Sequence, residues 1–358
     1  MTNQLKTYFP LIRDRKEILD IIYARKELAA DFESWSAGQQ EEFLDFCSGV
    51  HGVKLLYDAF FKEIMNPETA PERLEDFLSL LLQRKVRILE VLPNDSTRIA
   101  DESSLLITDI VVELETHEIA NVELQKIGYM FPGERSACYC ADMLLRQYKR
   151  VRSRDKKKFS YRNVQNVYNI VLFENSPKEF HRFPDTYLHR FSQQSDSGLE
   201  LKLLQKYIFI PLDIFGEILH NRDIKNRLEA WLVFLSMEDP EMIDRLITAY
   251  PDFMPIYRQI YELCQNVEEV MRMFSKELRE LDRNTVQLMI DELQEQVDQQ
   301  AAEIGRRDAE IGRAAQELEA ERQRHKAEME RQRQQYEKEL QRVKEQIASL
   351  QSAGNILE

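Results

Sequence analysis

Two short runs rich in β-branched and aliphatic residues, 105–114 and 119–125, face each other across the polar tetrad Glu115, Thr116, His117 and Glu118. That is the pattern of an antiparallel hairpin. It commits the middle of the chain to a sheet. Two carboxylates, Asp109 and Glu123, stand inside these runs where apolar residues are expected. Gln125 follows Glu123 by two, so both side chains share one face of a strand. With the turn centred on Thr116, Asp109 lies opposite Glu123 and Ile107 opposite Gln125. Directly opposed residues have Cβ atoms about 4.5–5.5 Å apart, and like charges so placed repel. A buried pair of this kind needs a cation, a shared proton or water. The pattern leaves two readings open: the acids face solvent on a half-exposed sheet, or they converge on a metal ion. No Asn-Gly or Asp-Gly fixes the turn, so the register is open to a slip.

The 358 residues suffice for two or three domains, or for one large core with an appendage. A hydrophobic share of 43% beside 31% charged residues describes a soluble, foldable chain. The net charge of −14 gives no global attraction to nucleic acid, so any such contact needs a local basic patch. One exists: Arg146, Lys149, Arg150, Arg152, Arg154, Lys156, Lys157 and Lys158, with Asp155 the one acid among them. Charge runs also form solvated helix ends and loops. Cys47, Cys138, Cys140 and Cys264 form no CxxC pair and no zinc-ligand spacing, which predicts reduced thiols and a cytoplasmic protein. The start of the chain lacks the features of a signal peptide. No apolar run approaches the 18 residues of a membrane span.

Helices are expected over 11–50 with a break at Ser36-Ala37-Gly38, then over 53–65, 74–82 and 135–150, and again across 223–282. Strands are expected at 86–92, 164–173 and 207–212. Helices opening the domain, a mixed sheet in its middle and a helix crossing between strands make an α/β core. From Asn284 onward proline is absent and Glu, Gln, Arg and Lys dominate. Val297, Ile304, Ile311 and Leu318 recur every seven residues, as do Met329, Tyr336, Val343 and Leu350. This is a long helix with coiled-coil potential. Asp308, Arg322, His325 and Gln332 fall on the seam and weaken it, so a solvated single helix is the alternative. From Gln294 to Leu350 it would extend on the order of 80 Å.

Asp109-Ile-Val-Val112, then Glu123-Leu124-Gln125, then Phe131-Pro-Gly-Glu-Arg135-Ser-Ala-Cys-Tyr139 resemble the PD-(D/E)XK nuclease family transposases, also called recombination-promoting nucleases. Tyr57 to Lys62 and the 77–82 helix resemble the opening of that family. The strand Tyr168 to Phe173 and the segment Trp231 to Leu235 resemble its later core. The likeness runs over roughly 50–283. It implies a restriction-endonuclease-like core, a mixed central sheet flanked by helices, in a domain over 51–283. A helical extension over 1–50 precedes it and a coiled-coil tail over 284–358 follows. The resemblance also implies DNA cleavage dependent on Mg²⁺ or Mn²⁺, serving recombination or transposition. Asp109 and Glu123 would be metal ligands, with Gln125 in the place where lysine is common. Lys126 should point to the opposite face. Magnesium takes oxygen ligands, usually one or two carboxylates with water and phosphate. Gln125 could orient the attacking water but lends no positive charge. Arg135, Arg146, Lys149, Arg150, Arg152, Lys156, Lys157 and Lys158 are the expected DNA contacts, and Asp58 is an additional candidate acid. Homo-oligomers through the coiled coil, and no membrane, complete the expectation. An inactive DNA-binding or protein-interaction platform is the competing one.

Overall fold

The computed structural model describes residues 4–93, 110–126, 132–220 and 222–354. The chain divides into two units, Met1–Met289 and Ile290–Glu358. The first opens with four helices: α1 (Gln4–Tyr8), α2 (Arg15–Tyr23), α3 (Lys26–Ser34) and α4 (Ala37–Ser48). The break expected at Ser36 is the cap of α4. The Ser36 side chain accepts from the Gln39 amide, and the Gln39 side chain accepts in return from the Ser36 amide, a reciprocal capping box.

Helices α5 (Asp58–Ile64) and α6 (Pro71–Leu82) follow. The helix expected from residue 53 therefore starts later, and the reason is tertiary. The Gly52 amide donates to Glu238 O at 2.7 Å. A Cβ at Gly52 would stand 2.6 Å from Ile243 Cδ1. Docking of this segment against residues 238–243 overrides local helix propensity.

The sheet has six strands: β1 (Ile88–Leu92), β2 (Ile110–Leu114), β3 (Ile119–Gln125), β4 (Val167–Phe173), β5 (His189–Phe191) and β6 (Gln205–Pro211). Their spatial order is β1-β2-β3-β4-β6-β5. The pairs β3/β4 and β4/β6 are parallel and the other three antiparallel. Helix α7 (Pro132–Asp155) makes the crossover from β3 to β4. Helices α8 (Leu212–Leu219), α9 (Arg227–Ser236), α10 (Pro240–Ala249), α11 (Met254–Leu263) and α12 (Val267–Gly354) complete the chain. This mixed sheet flanked by helices is the expected α/β architecture. Helix α8 was not legible, because the apolar run from Tyr207 to Leu212, resumed after Asp213 by Ile214 and Phe215, carries no period that separates strand from buried helix. The change of composition at Asn284 brings no break in α12.

Strand alternation divides the sheet into two faces. Val112, Ala120, Val122, Ile170, Leu172, Ile208 and Ile210 join one large core shared with α1 to α6 and α8 to α12. On the other face Val111, Ile119 and Val167 pack against Tyr139, Cys140 and Met143 of α7. No described helix is long and apolar enough to cross a membrane.

Candidate active site

The hairpin register is that of a turn centred on Thr116. Ile110 pairs with Val122, Val111 with Asn121, Val112 with Ala120 and Glu113 with Ile119. The glycine missing from the turn is replaced by His117 at φ 63°. Histidine is among the residues that tolerate this left-handed conformation better than most. Its Nδ1 lies within hydrogen-bond reach of Glu113 Oε1, at 2.7 Å. Asp109, the residue before β2, lies outside the described residues.

Asn121, Glu123 and Gln125 alternate along β3 on the α7 face, buried to 0%, 5% and 5% exposure. Asn121 donates to Asn169 Oδ1 on β4 at 2.7 Å, and both side chains are fully buried. Asn121 Oδ1, Asn169 Nδ2 and Gln125 Nε2 have no hydrogen-bond partner among the described residues. A buried unsatisfied group costs about 1–3 kcal/mol, so three of them along one face are a poor choice for structure alone. The pair Asn121/Asn169 was missed at the sequence level. Its signal was a polar residue every second position in a buried strand, Asn121, Glu123, Gln125.

Glu123 and Gln125 stand at the carboxyl end of β3, where β3 runs parallel to β4. In open sheets with parallel strands, ligands bind beyond the carboxyl ends. The donor atoms available there are oxygens of a carboxylate and a carboxamide. Cys140 shares this face, and burial pushes its thiol up to about 12. The set suits a hard cation such as Mg²⁺ or Mn²⁺ and not a soft one. Among the described residues no three His, Cys, Asp or Glu side chains gather as a metal cluster.

Lys126 faces the other way, as alternation requires. Its ammonium pairs with Glu277 of α12, itself 1% exposed, and sits 5.1 Å from the centre of the Tyr57 ring. Glu277 also accepts from the backbone amide of Asp58 at 3.0 Å. Asp58 thus heads α5 within the cluster on the Lys126 side. The ends of β3 and β4 are tied by Glu174 N to Gln125 O and by the Asn175 amide to Lys126 O, each at 2.8 Å.

Helix α7 carries the basic tract back to the hairpin turn. Gln147 donates to His117 O at 2.8 Å. Arg146 pairs with Asp142 at 2.7 Å and donates to Pro93 O. Arg150 pairs with Glu113 at 2.9 Å and with Glu90. Arg135, in the first turns of α7, donates to the Tyr139 hydroxyl at 3.0 Å. Lys149, Arg152, Lys156, Lys157 and Lys158 are exposed. Arg152 lies over the ring of Tyr148, which stacks on Tyr161. The tract therefore surrounds the turn end of β3. Four residues of strand, roughly 13 Å at 3.3 Å each, separate Ile119 there from Glu123.

A family model described as PD-(D/E)XK nuclease family transposase matches residues 55–292. A search of curated proteins gives no match, and a search of solved structures gives none.

Proposed function

The chain belongs to the PD-(D/E)XK nuclease family transposases, and from that premise we propose that it is a metal-dependent DNA endonuclease whose breaks promote recombination or transposition. The observation that carries this reading is the placement of Glu123 and Gln125 two apart on one buried strand face, at the carboxyl end of a parallel strand. Asp109 and Glu123 would hold Mg²⁺ or Mn²⁺. When bound, such an ion lowers the pKa of a water and stabilises charge on the phosphate in the transition state. Gln125 would orient that water through its carboxamide. Asn121 and Asn169 fix the floor beside them. Hydrolysis adds water to phosphorus and breaks one ester bond, leaving a phosphate monoester and a free hydroxyl.

Lys149, Arg152, Lys156, Lys157 and Lys158 are the proposed phosphate contacts. Arg135, Arg146 and Arg150 are engaged with Tyr139, Asp142, Glu113 and Glu90, so their proposed role is to shape the surface. The tail would pair two copies of the chain, so that two sites cut two strands. The free cysteines are in keeping with a cytoplasmic place of action. Gln125 in a lysine position favours one second reading, a core that binds DNA without cutting it.

Supercoiled plasmid incubated with the protein and Mg²⁺ or Mn²⁺ tests this. Nicked and linear products are expected from the wild type and not from Asp109→Ala or Glu123→Gln, with DNA affinity kept. A wild type that binds DNA and cuts nothing with either metal establishes the second reading.

A further inference from the structure

Beside the candidate site, on the same sheet face, lies a pocket of about 490 Å³. Phe180, Phe183, His189, Phe191, Tyr207 and Phe209 line it, with the first turns of α7 as the opposite wall. We propose that this pocket receives one unstacked nucleobase of the strand held at Glu123, a proposal that rests on the nuclease reading above.

The register supplies the first argument. Glu123 is opposite Val171 on β4, Val171 is opposite Phe209 on β6, and Phe209 is opposite His189 on β5. Glu123 and Phe209 thus lie in one row on one face, two strand spacings or about 10 Å apart. A base attached near a phosphate at Glu123 falls within that reach. A paired base in a duplex is stacked and cannot enter, so the occupant is single-stranded or extruded.

The chemistry of the lining supplies the second. Phe191 packs on Phe209 with centroids 5.3 Å apart, and His189 meets Phe180 at 5.2 Å and Phe183 at 5.8 Å. Two of these rings remain open to solvent, Phe183 at 55% and Phe191 at 50% exposure. Glu179, Ser192 and Gln193 offer polar groups to a base edge. Exposed aromatic faces that stack bases are the usual platform for single strands.

Charge supplies the third. Exposed Lys178 and Arg182 flank the lining on either side of Phe180, and neither has an ion pair among the described residues. In a chain of net charge −14 they suit a phosphodiester backbone.

The test uses full-length protein without divalent metal, so that nothing is cut. Fluorescence anisotropy compares a labelled single-stranded oligonucleotide, the same strand made abasic throughout, and the duplex. The wild type should bind the base-bearing strand about five- to a hundredfold more tightly than the abasic one, the range that one stacked base contributes. Phe183→Ala combined with Phe191→Ala should bring the two strands to equal affinity, whereas Phe191→Tyr should keep the difference. A wild type that does not distinguish the strands overturns the proposal without any variant. So does a folded double variant that still distinguishes them. Plasmid cutting with no base discrimination removes the pocket and spares the nuclease. Discrimination by a protein that cuts nothing does the reverse.

Discussion

Glu123 and Gln125 were legible from period two alone, because strand alternation places residues two apart on one face whatever surrounds them. Asn169 was not, since only the pairing of β4 with β3 brings it to Asn121. The Lys126–Glu277 pair joins residues remote in sequence, and no local pattern announces it. Removing Lys126 leaves the carboxylate of Glu277, 1% exposed, without its cation. Lys126→Ala should therefore cost about 3–5 kcal/mol, and Lys126→Met with Glu277→Leu should restore most of it. Urea midpoints of the three proteins decide this. His117 makes a second residue-scale case. His117→Val forces a β-branched side chain into the left-handed region and should lose about 1–3 kcal/mol. His117→Gly relieves the backbone but gives up the Glu113 contact, so it should stay within about 1 kcal/mol of the wild type. Equal losses for the two would show that the side-chain contacts, not the backbone, hold the turn.

At the scale of elements, the hairpin is anchored where it meets β4. Glu118 accepts from Thr116 at 2.6 Å, Asn166 at 2.9 Å and Tyr168 at 3.0 Å, and pairs with Arg84. Burial alone would raise its pKa, but these hydrogen bonds and the Arg84 charge hold it below the ordinary value. Glu229 at the start of α9 repeats the arrangement. There burial is outweighed by Arg222, the Lys225 amide and Tyr187. A carboxylate with a depressed folded pKa stabilises the protein above the unfolded value, about 4.3, and loses that contribution as pH falls through the folded one. Stability should thus decline from about pH 5 downward. Glu118→Gln should be less stable at neutral pH, with a flatter acid limb. Glu238, raised by burial and by Glu42 and Glu174 nearby, has the opposite sign and offsets part of the slope. Denaturant midpoints measured between about pH 5.5 and 3 would show it; an unchanged acid limb in Glu118→Gln would assign the decline to other groups. The sequence announced β2, β3 and their turn because their composition differs sharply from the helices around them. It hid β5, three residues long, which is too short to carry a period.

At the scale of the molecule, Val297, Ile304, Ile311 and Leu318 are all more than half exposed. A heptad seam so exposed in one chain would suit a second copy, and Asp308, Arg322, His325 and Gln332 on core positions would weaken the match. Light scattering should therefore find full-length protein in a concentration-dependent dimer or larger assembly, and protein ending at Met289 a folded monomer that still nicks plasmid. A truncated protein that remains dimeric would remove the tail from that role. The first unit, meanwhile, joins its own extremes. Phe9 meets Tyr261 with centroids 5.1 Å apart, Arg13 donates to Gln265 O, and Glu277 receives both Lys126 and the Asp58 amide. On the ribosome, the last of these contacts, those of Glu277, cannot close until residue 277 has left the exit tunnel. Synthesis proceeds at about 5–20 residues per second. The hairpin bearing Glu123 thus waits on the order of ten seconds or more, already translated, for the helix that braces it. Until residue 277 emerges, the strand that carries Glu123 lacks the carboxylate that pairs with Lys126 at its end.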